Sequence, residues 1–511
     1  VVVFVFLCMR VLAPGEDEFS KPFYTNSNLS PRNYLNVTNE ADAPFDFCPV
    51  FGPGDPLADK YGAHALTRTR LHLGSGARVQ RIIRKALAGQ PITISVLGGS
   101  VSACHGAGND PISPTCYPSR FFKWWNEVFP HPASELTNGA VRRTNSAYFS
   151  FCHEHHIPDQ TDLVILEFDC DDPNDAAWLE HFELLVRSLL VRPDAPAVII
   201  LGHFSPQIQI QHGFAGPEFL HTVVAQYYDV PHISIKPMLY GNHLSSPDSI
   251  MNFFVDPVLA NNEGHELLAD VLISYFQSQI CAGWAAATGN GYEVSQFPIE
   301  AVRAAGDTKG LFGGVGLRKG QDVDGAAMPA REGAGKTAGK DPEDIAAFRI
   351  PPARLSARPH ELAGFREVKP FCVSANDLIN PLPPSLFYGS GWHAFHPPKG
   401  ASLAEGGESP HYWYSTLPTS KLRVPIKTAS GNVAIYYWRE DDDEDLSGIK
   451  CWVDDNFPGA VEIWNRDGPP GPALKVIDHF VIGGSHFASC ELLGEEGRGV
   501  PMFKILGIFA T

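Results

Sequence analysis

The sequence contains no CxxC pair and no HExxH, and its ten cysteines show no zinc-type spacing, so no motif calls for a metal or a cofactor. Basic residues are scarce beside acidic ones: 39 Lys and Arg against 57 Asp and Glu leave a formal net charge of −18. That balance argues against a nucleic-acid partner, since phosphate recognition needs a basic face. Hydrophobic residues make up 44% and charged residues 19%, which is a globular rather than a disordered composition. At 511 residues the chain is expected to hold more than one domain.

The apolar opening Val1–Met9, followed by Arg10, is about half the length of a membrane span. It reads as the tail of a signal peptide or signal-anchor. Two sequons, Asn28-Leu29-Ser30 and Asn36-Val37-Thr38, follow in a polar segment. Their placement fits a body on the lumenal or extracellular side of the secretory pathway, with membrane anchorage through the N-terminus. Disulfides are expected in that compartment. Cys104 and Cys116 flank one loop, and Cys451 and Cys490 lie in neighbouring predicted strands. The alternative is a set of buried free thiols.

Residues 1–59 read as the anchor remnant and an irregular, Pro- and Asn-rich lead-in. Strand and helix patterns alternate over 60–284. The apolar runs Ile92–Leu97, Asp162–Phe168, Ala197–Leu201 and His232–Ile235 are predicted strands, and Arg78–Leu87, Ser119–Phe129, Ser146–His155, Trp178–Val191, Glu218–Tyr228 and Glu263–Gln279 are predicted helices. That alternation implies a three-layer α/β/α domain with a parallel sheet. An Ala-, Gly- and Lys-rich linker is expected over 285–364. From 365 to 511, short strands separated by turns, among them Lys421–Ile426, Asn432–Trp438, Ile449–Val453, Ala460–Trp464 and Met502–Ile508, imply an all-β sandwich or jelly roll.

Sites in parallel sheets lie at the carboxyl ends of the strands. The first core strand ends in Leu97-Gly98-Gly99-Ser100, a tight turn that would expose the serine hydroxyl as a nucleophile. Asp171 follows a later strand. Far downstream, Asp256 precedes the last helix, and Asn261 or Asn262 is a natural N-cap for it. His265 falls in its first turn, on the face carrying Leu268, Leu272 and Phe276. The helix dipole disfavours the imidazolium there, which is compatible with a neutral base. The bland reading of His265 is a satisfied histidine at the core edge.

Together these residues resemble the SGNH (GDSL-type) hydrolases. Ser100 matches the family serine after the first strand, with Gly99 where the better-known motif has Asp. Gly139, in Asn138–Ser146, matches the second-block glycine. Asp162–Asp172 matches the third strand and its block, and Asp256 with Gly264-His265 matches the segment before the last helix. Over most of its length the chain is also similar to fungal SGNH-domain proteins described as capsule-associated, through Phe371–Pro384 and Cys451–Asn456 among other strings. The resemblance implies an esterase of acylated carbohydrate, in which Ser100 attacks, His265 is the base, Asp256 orients it, and the amides of Ser100 and Gly139 hold the oxyanion.

Two positions depart from the family pattern. The histidine of its Asp-x-x-His is Leu259, which cannot shuttle a proton. Its third-block asparagine is Asp171, which beside an oxyanion repels when ionised and serves only when protonated. Three readings follow: an active esterase with His265 as base; one in which His105 or His212 enters the site; and a catalytically impaired protein that binds glycan or assists capsule assembly. The hydrolytic readings require an imidazole at the Ser100 turn.

Other features are weaker. His153-Glu154-His155-His156 reads as a surface histidine patch. Glu440–Asp445 reads as a solvated hairpin loop before it reads as a calcium site. Trp392, Trp413, Trp438, Trp452 and Trp464 read first as packing residues and only then as sugar-stacking ones. Asp454-Asp455-Asn456 reads as a turn.

Overall fold

The computed structural model describes residues 28–36, 44–288, 348–358, 365, 367–375, 391–396, 411–429, 431–440, 446–468 and 470–511. The Val1–Met9 run, most of the expected linker and residues 441–445 of the acidic segment lie outside them.

The first sheet has six strands: β1 (Arg70–His72), β2 (Thr93–Gly98), β3 (Glu135–Asn138), β4 (Leu163–Glu167), β5 (Ala197–Gly202) and β6 (His232–Ser234). They lie in the order β1-β6-β5-β4-β2-β3. All neighbours are parallel except β1, which joins β6 antiparallel. Every residue of β4 and β5 is buried, as expected of parallel strands covered on both faces. One face packs on the helices Ala77–Leu87, Tyr117–Val128 and Asn262–Thr288 through Ile83, Phe121, Trp125, Leu272 and Phe276. The other packs on Ser146–Cys152, Leu179–Leu190 and Pro217–Tyr228 through Phe149, Leu185, Leu189 and Val224. The α/β/α architecture is therefore as the sequence implies. The last helix continues to Thr288, past the expected linker boundary. Among the described residues no helix is long and apolar enough to cross a membrane.

The C-terminal part is antiparallel β. It comprises β7 (Phe371–Ser374), β8 (His393–Phe395), β9 (Tyr412–Ser415), β10 (Lys421–Thr428), β11 (Val433–Arg439), β12 (Gly448–Val453), β13 (Val461–Trp464), β14 (Gly471–Asp478), β15 (Gly484–Leu492) and β16 (Phe503–Ala510). One sheet runs β10-β15-β12-β13; the other runs β14-β11-β16-β9-β8, with β7 also on β16. Strict alternation in β10 turns Leu422, Val424 and Ile426 inward, onto Ile435, Phe503 and Ile505. Cys451 and Cys490 are paired across β12 and β15 and bonded to each other.

The two parts share a hydrophobic core. Phe509 of β16 stacks on Phe151 at 4.9 Å and on Tyr436 of β11 at 5.2 Å. Cys152 at the end of helix Ser146–Cys152 is bonded to Cys372 of β7, and Tyr148 Oη lies 3.1 Å from Ser374 Oγ. The remaining disulfides are Cys48–Cys281 and Cys104–Cys116, and Cys170 is free. The histidine run is a correction: His153 is buried, with its Nδ1 3.1 Å from Phe149 O, and is no surface patch. The disulfide at Cys152 draws that end of the helix into the seam.

Candidate active site

β2 delivers its carboxyl end into a turn that the glycines make possible. The amide of Gly99 donates to Glu167 O at 3.4 Å, which keeps the chain beside β4 for one more residue. A side chain at Gly99 would occupy the position of the Asp171 carboxyl. Beyond Ser100 the backbone closes one helical turn, with Ala103 N on Gly99 O at 3.0 Å and His105 N on Ser100 O at 3.1 Å. Ser100 remains partly exposed.

Asp171 arrives from β4 through a second tight turn, its amide donating to Phe168 O at 3.1 Å. Its carboxyl packs beside the Gly99-Ser100 turn, and its Oδ2 is buried without a hydrogen-bond partner. Burial, then the neighbouring Asp172 carboxylate, raise its pKa to about 7, while the Ser100 amide and hydroxyl oppose the rise. The Ser100 Oγ also accepts the amide of Arg143 at 3.0 Å. Arg143 can point that amide at the serine because its backbone takes a left-handed conformation, φ 51°. Two residues later Asn145 caps helix Ser146–Cys152 by accepting the Tyr148 amide at 3.4 Å.

The other expected members are elsewhere. Asn261 caps the last helix through the amides of Glu263 and Gly264, at 2.9 and 3.1 Å, and His265 follows fully buried, as its periodicity implies. Its Nδ1 accepts the Tyr117 amide at 3.3 Å, and its ring stacks on Tyr117. Burial, then His203 and Arg120, push its pKa down to about 3. Asp256 spends Oδ1 on the amides of Val258 and Leu259, both at 2.7 Å. His265 and Asp256 therefore do not form the expected base and orienter. The Gly139 amide donates to Val96 O at 2.9 Å, so it is a sheet extension rather than an oxyanion donor. His105 Nδ1 lies 3.0 Å from Asn109 Oδ1, and His212 is exposed at the end of helix Pro206–His212. Among the described residues no imidazole hydrogen-bonds the Ser100 hydroxyl.

The site is completed by the β domain. A cleft of about 380 Å³ is lined by Arg143, Asn145 and Asp171 on one side and by Trp438, Pro470 and Pro472 on the other. Trp438 takes part because β11 runs along the seam, where Tyr436 Oη donates to Asn145 Oδ1 at 3.3 Å. Arg143 and Trp438 carried no local signal that they would meet. Near the end of β11 the burial lapses at Trp438 and Arg439, and the sugar-stacking alternative weighed for Trp438 was the trace of its role in the sequence. Beneath the cleft, His221 is bracketed by Asp169 at 2.7 Å and Asp172 at 3.0 Å. Burial acts to lower its pKa, but the two carboxylates outweigh it and hold it up at about 9.

The fold, a parallel α/β/α domain followed by an antiparallel β domain, is shared with a solved two-domain protein. The chain is similar in structure to a two-domain esterase active on acetylated mannans, solved with mannopentaose, at a TM-score of 0.55 and 16% identity over 87% of this chain and 97% of that one. The same esterase without the oligosaccharide gives 0.55 and 17%. A putative lipolytic protein of the G-D-S-L family from Desulfitobacterium hafniense matches 36% of this chain and 98% of its own, at a TM-score of 0.27 and 11% identity. No family model matches the sequence. No curated protein matches it.

Proposed function

We propose that this chain is a serine esterase that removes acyl groups from carbohydrate held between its two domains, with Ser100 as nucleophile and with the Asp171 carboxylate as its proton acceptor in place of the imidazole that the sequence pattern called for. The observation that carries this reading is the buried Asp171 carboxyl, one oxygen unpartnered, packed beside the Ser100 turn and lining the interdomain cleft. As Ser100 Oγ bonds to the acyl carbon, its proton passes to Asp171. The carboxyl is then neutral. It no longer repels the oxyanion, and it is a donor. The bond from the acyl carbon to the sugar oxygen breaks, that oxygen takes the proton from Asp171, and acyl-Ser100 remains. Water, giving its proton to Asp171, then attacks the acyl carbon; the proton returns to Ser100 as the free acid leaves. The Arg143 amide is the oxyanion donor nearest the serine, in place of Gly139.

The substrate class rests on the two-domain neighbour, described as active on acetylated mannans, and on the Arg143 and Trp438 walls, which offer a polar and an aromatic face to a sugar. The resemblance to capsule-associated fungal proteins narrows it to capsular or cell-wall polysaccharide. Four disulfides support a secretory, extracellular or lumenal setting.

A fluorophosphonate probe, with acetate release from acetylated mannan oligosaccharides, tests the reading. Ser100 is expected to label. Labelling and acetate release should disappear in Ser100→Ala and Asp171→Asn and persist in His265→Gln. A second reading, an impaired hydrolase that binds glycan, is favoured by the spent Gly139 amide and by the lack of an imidazole on Ser100 among the described residues. An unlabelled wild-type chain that still binds the oligosaccharide would establish that reading and remove the first.

A further inference from the structure

Three buried side chains from distant parts of the sequence meet below β5. Asp169 follows β4, Glu218 opens helix Pro217–Tyr228, and His232 begins β6. One ligand-capable atom of each lies within 4.8 Å of the other two. All three residues are at least 95% buried. Gly202, at the end of β5, makes room: a Cβ there would lie 2.6 Å from Glu218 Oε1.

The hydrogen bonds show which atoms remain. Asp169 Oδ1 is taken by His221 Nδ1 at 2.7 Å, and Glu218 Oε2 pairs with Lys236 Nζ. His232 Nδ1 lies 3.0 Å from Thr222 Oγ1. The Thr222 hydroxyl spends its single hydrogen on Glu218 O at 2.9 Å, so it can only accept from the histidine. That fixes the hydrogen on Nδ1 and leaves an Nε2 lone pair. Asp169 Oδ2, Glu218 Oε1 and His232 Nε2 have no hydrogen-bond partner. The Ser234 hydroxyl also lies against the Glu218 carboxyl, but it has one hydrogen for a group with about four acceptor sites. Acceptors gathered in a buried space without donors enough to serve them are costly unless something positive sits among them.

We propose that Asp169, Glu218 and His232 bind a divalent transition-metal cation of the Zn²⁺ kind. Two carboxylates and one neutral imidazole are a suitable ligand set for it. The Thr222 contact supplies the outer hydrogen bond that such a histidine ligand commonly has, since it fixes the tautomer and aims the ring. Lys236 and His221 neutralise the outer oxygens of the two carboxylates and leave the inner ones for the ion. The ion would be structural, tying the end of β4 to β6 and to the helix between them. The sequence gives no local spacing for it, because its ligands come from three separate segments.

The test uses the full chain, stripped with EDTA and then titrated with Zn²⁺ and with Co²⁺. One equivalent per chain is expected, with visible Co²⁺ d–d bands and a rise of several degrees in Tm. His232→Phe should abolish both. Thr222→Val, which keeps the side-chain volume, should weaken Zn²⁺ binding about tenfold or more. No bands and no Tm shift in the folded wild-type chain would overturn the proposal, as would bands that survive in His232→Phe. If His232→Phe does not fold, an unchanged Zn²⁺ affinity in Thr222→Val overturns it alone.

Discussion

Arg143 and Trp438 meet across the seam between the two parts of the chain, the guanidinium carbon 5.9 Å from the indole ring centroid. Arg143 also gives its amide to Ser100, so one residue joins the proposed nucleophile to the β domain. The relationship makes the second domain a wall of the site. Trp438→Ala should therefore discriminate between substrates. For an acylated oligosaccharide, KM should rise about five- to tenfold, equivalent to about 1–1.4 kcal/mol of lost ring contact. For a small acyl ester that does not reach the indole, kinetics should be unchanged. Equal effects on both substrates would mean that Trp438 only holds the seam together.

Gly99 gives a second test, because a methyl group there would collide with the Asp171 carboxyl. Gly99→Ala must push Asp171 away from Ser100 or distort the turn, with a stability cost of about 1–3 kcal/mol for overpacking. Fluorophosphonate labelling should fall by far more than the change in Tm explains. Labelling at the wild-type rate in a folded Gly99→Ala chain would show that Asp171 is dispensable to the serine.

Much of the fold was legible because local patterns determine it. β-branched apolar runs ended by glycine, as at Ile92–Gly99, specify a buried strand and a turn, and the spacing of His265, Leu268, Leu272 and Phe276 correctly turned the histidine inward. Periodicity says which way a ring points but not what it meets. His265 met the Tyr117 amide, because helix Tyr117–Val128 packs on the last helix through Phe121, Trp125 and Phe276. The Gly139 amide was lost to Val96 O for a similar reason: strand pairing continued one residue beyond β3. The long-range arrangements, Trp438 beside Arg143 and Asp169 beside His232, depend on sheet order and domain packing, which no short window of sequence encodes. In the β domain, β14 was missed because Pro472 interrupts the strand pattern.

The shared core predicts one unfolding unit. Phe509 is fully buried between Phe151 and Tyr436, so Phe509→Ala should cost about 3–5 kcal/mol. In urea, the loss should appear in both parts of the chain at once, read by labelling at Ser100 and by hydrogen exchange of the β11 and β16 amides. Two separated transitions, with only the β-domain exchange moved, would mean that the domains fold independently.

Acid should destabilise the chain through its buried neutral histidines. Burial, aided by Arg192 and His155, holds His153 down at about 4, and burial, aided by His203 and Arg120, holds His265 down at about 3. Unfolded, both would titrate near 6.5. Below that pH the unfolded chain binds protons that the folded chain refuses, so stability falls as pH drops from about 6.5 toward about 4. Each histidine contributes a slope of about 1.4 kcal/mol per pH unit in that window, and neither contributes any slope above it. His153→Gln keeps a donor for Phe149 O but cannot take up a proton. Urea unfolding measured from pH 7 to pH 4.5 should give a slope shallower by about one proton in the variant. Parallel curves for wild type and His153→Gln would show that His153 does not resist protonation in the folded chain.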